Sequence, residues 1–152
     1  MARPTLDPTT TLTITRTFAW PREKVFRAWT DPQELKKWWA AGPGFTSPFA
    51  EVDLRVGGRY RLAMKPPDKD VVLVVGGIFR EVRPPDRLIY TWAWEGSAGP
   101  ETLVTVEFHD RGGNTEVVLI HEAFRDGQTR DEHGKGWQGC LDTLARILEE
   151  KR

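Results

Sequence analysis

The sequence predicts an α+β domain in which an antiparallel sheet of about six to seven strands wraps around a long C-terminal helix. Two short helices are expected after the first strand. Three observations predict this. Residues 45–124 carry short runs of two-residue periodicity, cut by Gly57–Gly58, Pro84-Pro85-Asp86 and Gly112–Gly113. Trp137, Leu141, Leu144 and Leu148 recur at i, i+4, i+7 and i+11, one apolar face of a long helix. Between the first strand-like run and the sheet lie two proline-led helix openings, at Pro21 and Pro32.

Taken in order, residues 1–10 are Pro- and Thr-rich and read as a flexible leader, leaving 11–152 as one domain. TLTITRTF, from Thr11 to Phe18, alternates and is expected to form a strand with Leu12, Ile14 and Phe18 inward. In WPREKVFRAWT, Pro21 suits a first helical position, Glu23 follows in the first turn, and Val25, Ala28 and Trp29 share a face. Asp31-Pro32-Gln33-Glu34 reopens a helix, with Asp31 as cap and Glu34 closing a capping-box pair. Leu35, Trp38 and Trp39 then form its apolar stripe. Adjacent helical residues point ~100° apart. One of Trp38 and Trp39 is therefore expected to anchor the helix to the sheet and the other to border a cavity.

The runs RYRLAM, VVLVVGGIFREV, RLIYTWAW, TLVTVEF and TEVVLIHEAF are strands of an antiparallel meander. RGGN is a hairpin turn, whereas Gly76–Gly77 falls inside a run and marks a bulge or bend. Thr129-Arg130-Asp131-Glu132 reads as the capping box of the final helix. The result is a helix-grip arrangement.

Twenty-two basic and twenty-two acidic residues cancel, which removes the electrostatic footprint of a nucleic-acid binder. No apolar run reaches the ~20 residues of a membrane-spanning helix. MARPTLDPTTT lacks the apolar core of a signal peptide, and Cys140 is alone, so a cytoplasmic protein without disulfides is expected. No metal ligand set is predicted, because His109, His121 and His133 do not form HExxH. His109 and His133 read as solvated. No GxSxG elbow, dinucleotide fingerprint or phosphate loop is present, so neither a catalytic residue nor a cofactor is assigned.

FAWPREKVFRAWTDPQELKKWW, VGGRYRLAM, GIFREVRPPDRLIYTW, TVEFHDRGGNTEVVLIHEAF and HGKGWQGCLDTLARIL stand in an order and spacing that resemble the SRPBCC superfamily, over about Leu12 to Leu148. Within it they resemble the domains named after the activator of the heat-shock protein 90 ATPase. The resemblance implies a START-like fold with a cavity between the long helix and the sheet. It does not imply a reaction, since the superfamily spans carriers, cyclases and other activities. The eukaryotic co-chaperone also carries an N-terminal domain for which this length leaves no room, so ATPase activation is not expected.

The residues expected to line the cavity are Trp38, Trp39, Tyr60, Leu62, Met64, Tyr90, Trp92, His121, Trp137 and Leu141. His121 shares a strand face with Val117 and Leu119, which places it either at the cavity rim or in the core with a satisfying hydrogen bond. Gly134, Gly136 and Gly139 each cost up to ~1 kcal/mol in a helix relative to alanine, so they imply a void or a close approach beside it. The function read from these features is non-enzymatic binding of a small hydrophobic or aromatic ligand. One alternative is a co-chaperone-like protein interaction through Trp39 and the Ala41–Phe45 loop. A second is a polyketide cyclase-like or hydrolase enzyme using His121. A homodimer is compatible by analogy with the superfamily.

Overall fold

The computed structural model describes residues 7–97 and 99–150. Seven strands and three helices follow in the order β1 (Leu12–Phe18), α1 (Arg22–Thr30), α2 (Pro32–Trp38), β2 (Ala50–Val52), β3 (Arg59–Met64), β4 (Leu73–Arg83), β5 (Arg87–Trp94), β6 (Thr102–Arg111), β7 (Asn114–Glu122) and α3 (Gly127–Glu150). The strands form one antiparallel sheet, ordered β1-β7-β6-β5-β4-β3-β2. Consecutive strands from β2 onward pair as a meander, and β1 closes on β7 with Leu12 opposite His121. Gly112 and Gly113 both take positive φ, 68° and 95°, as a two-residue hairpin turn between β6 and β7 requires.

Alternation along β3, β5, β6 and β7 sends Tyr60, Leu62, Leu88, Tyr90, Trp92, Val104, Val106, Phe108, Val117 and Leu119 into a continuous core. Facing them are Val25, Phe26, Trp29, Leu35 and Trp38 from the short helices and Trp137, Leu141, Leu144 and Leu148 from α3. Trp29 lies tilted by 56° against Trp38, with ring centroids 4.8 Å apart, and meets Phe108 edge-on at 5.8 Å.

Three local expectations are corrected. Asp31 caps α2 through Gln33 N–H (2.9 Å), but its own N–H is already given to Arg27 O at the end of α1 (2.9 Å). No donor is left for Glu34 to close a capping box, and Glu34 accepts from Lys37 instead. The cap of α3 is Asp126, whose carboxylate accepts from Thr129 N–H at 2.7 Å, so the helix starts earlier than Thr129. This backbone bond, with the Thr129 side chain adding to it, holds the Asp126 carboxyl below its ordinary range. The register shift of β4 falls between Phe79 and Glu81, not at Gly76–Gly77. Gly77 serves close approach: a Cβ there would lie 2.0 Å from Thr91 O, and Thr91 Oγ1 accepts from Ile78 N–H at 2.8 Å. Of the expected leader, residues 1–6 lie outside the described residues, while the carbonyls of Thr9 and Thr10 accept hydrogen bonds from the rest of the domain. Arg130 donates to Thr9 O (3.1 Å) and Phe124 N–H to Thr10 O (3.1 Å).

Candidate functional site

The space between sheet and helices is mostly occupied by side chains. Tyr60, Leu62 and Tyr90, expected to line a deep cavity, surround only about 20 Å³ together with Trp29, Leu35 and Trp39. That is room for about one water molecule. Tyr60 donates to Thr91 O, and Trp29 Nε1–H donates to Tyr90 Oη at 3.2 Å. Burial raises both phenols above their ordinary range, in Tyr60 with the neighbouring Tyr90 adding to it.

The open space lies further out, where the β5 and β3 ends meet the start of α3. There a groove of about 450 Å³ is floored by Trp39, Met64, Trp92, Trp137 and Cys140. Phe45, Pro66, Leu73 and Trp94 form its apolar sides, and Asp68, Lys69, Glu132 and His133 its polar rim. Of the ten expected cavity residues, Trp39, Met64, Trp92 and Trp137 come together here. The adjacent tryptophans have divided: Trp38 is buried against α1 with its Nε1–H on Ala28 O (2.8 Å), and Trp39 borders the groove. Leu141 is core, 1% exposed, and lies off the groove.

His121 is not at the rim. It is 0% exposed, and both ring nitrogens are engaged. An indole nitrogen can only donate, so Trp137 Nε1–H gives its hydrogen to His121 Nδ1 at 3.1 Å. The proton then resides on Nε2, which faces Thr102 Oγ1 at 2.7 Å, and Thr102 passes its own hydrogen to Trp92 O at 3.3 Å. Burial first, and His133 second, hold this imidazole well below its ordinary pKa. A neutral histidine sealed in this way orients two walls of the groove and has no free face for acid–base exchange. Its strand context fitted either outcome, and packing of Phe124 at 4.2 Å closes the outer side.

His133, read as solvated, is half-buried and forms part of the site. Its Nδ1 lies 2.9 Å from Thr129 O, so that nitrogen carries the proton and Nε2 accepts from Trp94 Nε1–H at 2.9 Å. Burial lowers its pKa too. The signal was present in the sequence, because His133 precedes Trp137 by one i, i+4 step on the apolar face. His109, by contrast, pairs with Glu107 at the surface (3.2 Å). Trp39, proposed as an exposed docking residue, is only 3% exposed. Cys140 borders the groove, but burial pushes its thiol up to about 12, with a weaker opposing contribution from a backbone hydrogen bond at Ala40. Among the described residues no group of three or more His, Cys, Asp or Glu is placed to hold a metal. No helix among them is long and apolar enough to cross a membrane.

The helical glycines explain how the groove is framed. A Cβ on Gly139 would sit 1.8 Å from Ala41 O, so the chain after α2 presses on α3 there. Gly136 has nothing within 4 Å of its missing Cβ and borders the groove.

A seven-stranded antiparallel sheet gripping a long C-terminal helix, with an apolar groove at its mouth, defines a START-like helix-grip domain. Residues 19–149 match the family described as Activator of Hsp90 ATPase homolog 1-like protein, and the chain belongs to that family. Solved relatives agree over nearly the whole length. A protein from Chromobacterium violaceum is 28% identical, with a TM-score of 0.83, over 92% of this chain and 97% of its own. An AHSA1 protein from Silicibacter pomeroyi is 26% identical, with a TM-score of 0.82, over 93% and 99%. An AHSA1-like protein from Aeromonas hydrophila is 29% identical, with a TM-score of 0.74, over 92% and 94%. No curated protein matches the chain.

Proposed function

We propose that this chain binds a small apolar or aromatic molecule in the groove between the β3 and β5 ends and α3, without transforming it. The observation that carries this reading is a space of about 450 Å³ floored by three indole rings. Its volume falls within the roughly 300–1,000 Å³ of small-molecule sites. Burial of an apolar ligand there returns about 25 cal/mol for each Å² removed from water. Trp92 and Trp137 lie 5.1 Å apart at 36°, and Trp39 meets both edge-on, which presents a flat ligand with ring faces and edges together. The buried, doubly bonded His121 supports a binding role over acid–base chemistry.

Native mass spectrometry of the protein purified from its own host tests the reading. A co-purified small molecule of low polarity is expected, and it should be displaced by a groove-filling Gly136→Phe substitution. Protein that emerges unliganded, and whose tryptophan fluorescence ignores bicyclic aromatic probes, would remove the support for it.

A further inference from the structure

We infer that the groove selects uncharged aromatic ligands that carry a carbonyl or similar hydrogen-bond acceptor; this rests on the reading of the groove as a ligand site. Four indole rings line it, those of Trp39, Trp92, Trp94 and Trp137. Each brings one N–H that can donate and never accept. The fold provides two of them with dedicated acceptors. Trp94 donates to His133 Nε2 at 2.9 Å and Trp137 to His121 Nδ1 at 3.1 Å. Trp39 Nε1 and Trp92 Nε1 have no partner among the described residues, although the two side chains are only 3% and 4% exposed.

A buried donor without an acceptor costs more than an ordinary hydrogen bond returns, so native proteins rarely keep one without a use. Here two occur side by side, with ring centroids 5.9 Å apart, on the floor of the same groove. Edge-on contacts with neighbouring rings compensate only weakly. The sulfur atoms of Met64 and Cys140 are poor acceptors, and the floor carries no fixed charge. At the rim, Lys69 stands against Asp68 and Glu132, which disfavours an anion. What the floor lacks is an oxygen, and a ketone supplies one while the rest of the ligand stays apolar. Both nitrogens are shielded from solvent, so donation to a ligand requires the donating ring to turn about its Cβ–Cγ bond toward the groove.

The test uses 1-tetralone and tetralin, which share a bicyclic skeleton and differ by one carbonyl. Affinities are measured for wild type and for Trp39→Phe and Trp92→Phe, which remove the N–H but keep most of the ring. The tetralone-to-tetralin affinity ratio is expected to fall about tenfold in at least one variant, the size of one recovered buried hydrogen bond. Comparing the ratio cancels the packing lost with the larger ring. In wild type, the indole ¹H–¹⁵N resonance of Trp39 or Trp92 should move downfield with tetralone and stay in place with tetralin, which decides the matter even if a variant fails to fold. Tetralin and tetralone binding with an unchanged ratio and no resonance shift would overturn the acceptor inference and leave the groove as a ligand site. Neither probe binding wild type at its solubility limit would overturn both.

Discussion

Helical Gly→Ala substitutions normally stabilise by up to ~1 kcal/mol. For α3 the expected effects have opposite signs three residues apart. At Gly136 a Cβ meets nothing within 4 Å, so Gly136→Ala should follow propensity and raise the midpoint of thermal unfolding by about 2–4 °C. At Gly139 the Cβ would lie 1.8 Å from Ala41 O and 2.5 Å from Ala41 C. Relief to a tolerable ~3.2 Å means that the backbone after α2 retreats by about 1.4 Å, the difference from 1.8 Å. Such overpacking costs about 1–3 kcal/mol, and the retreat also strains the Thr143 Oγ1 hydrogen bond to Ala40 O (3.2 Å), worth about 1 kcal/mol. Set against the propensity gain, Gly139→Ala should lose about 1–3 kcal/mol, or about 3–10 °C. Urea unfolding followed by tryptophan fluorescence reads both variants. A Gly139→Ala protein as stable as Gly136→Ala would refute the close approach and, with it, the way the Trp39 wall is held.

Three further outcomes are expected. His121 is held neutral in the fold, whereas in the unfolded chain it protonates near pH 6.5. Stability is therefore complete above that pH and falls on acidification by up to about 1.4 kcal/mol per pH unit, until the folded-state pKa is reached; urea midpoints between pH 7.5 and 5 check this, and a flat profile contradicts it. Thr102→Val removes the acceptor for His121 Nε2–H and should cost about 1–3 kcal/mol. Imidazole ¹⁵N spectra of wild type should meanwhile show His121 as the Nε2–H tautomer. The Cys140 thiol, raised to about 12 by burial, should resist a water-soluble disulfide reagent in the native state and react at once in urea. Rapid native-state modification would mean that the groove floor opens.

The meander, the long helix and the paired short helices were legible because each rests on local periodicity and capping chemistry. The two misplaced capping boxes share a cause: one backbone N–H cannot serve two partners. Asp31 N–H belongs to the end of α1, so the motif at Asp31–Glu34 could not close as a box. The open space lies away from part of the expected cavity for a different reason. Alternation tells which face of β3 and β5 a residue takes, but not how much volume the opposing side chains fill. Trp29 and Leu35 occupy the space beneath Tyr60 and Tyr90, and the groove is displaced to the strand ends. The position of His133 near a helix start reads as solvated, whereas its i, i+4 relation to Trp137 carries more information.

The seven tryptophans separate by what their N–H groups meet. Trp20 donates to Leu148 O, Trp29 to Tyr90, Trp38 to Ala28 O, Trp94 to His133 and Trp137 to His121. Each of these bonds joins two separate segments of the fold, so these rings act as braces as well as apolar filling. Trp39 and Trp92 have no such bond and pack on each other at the groove floor. If their role were packing alone, phenylalanine would fill much of the same space without burying a donor. Trp39 is also the residue whose position depends on Gly139, since the chain it leads into is the segment that presses against α3. The costly glycine in the helix and the uncompensated indole thus belong to one construction, a wall whose backbone is seated against α3 and whose hydrogen-bonding capacity is unspent.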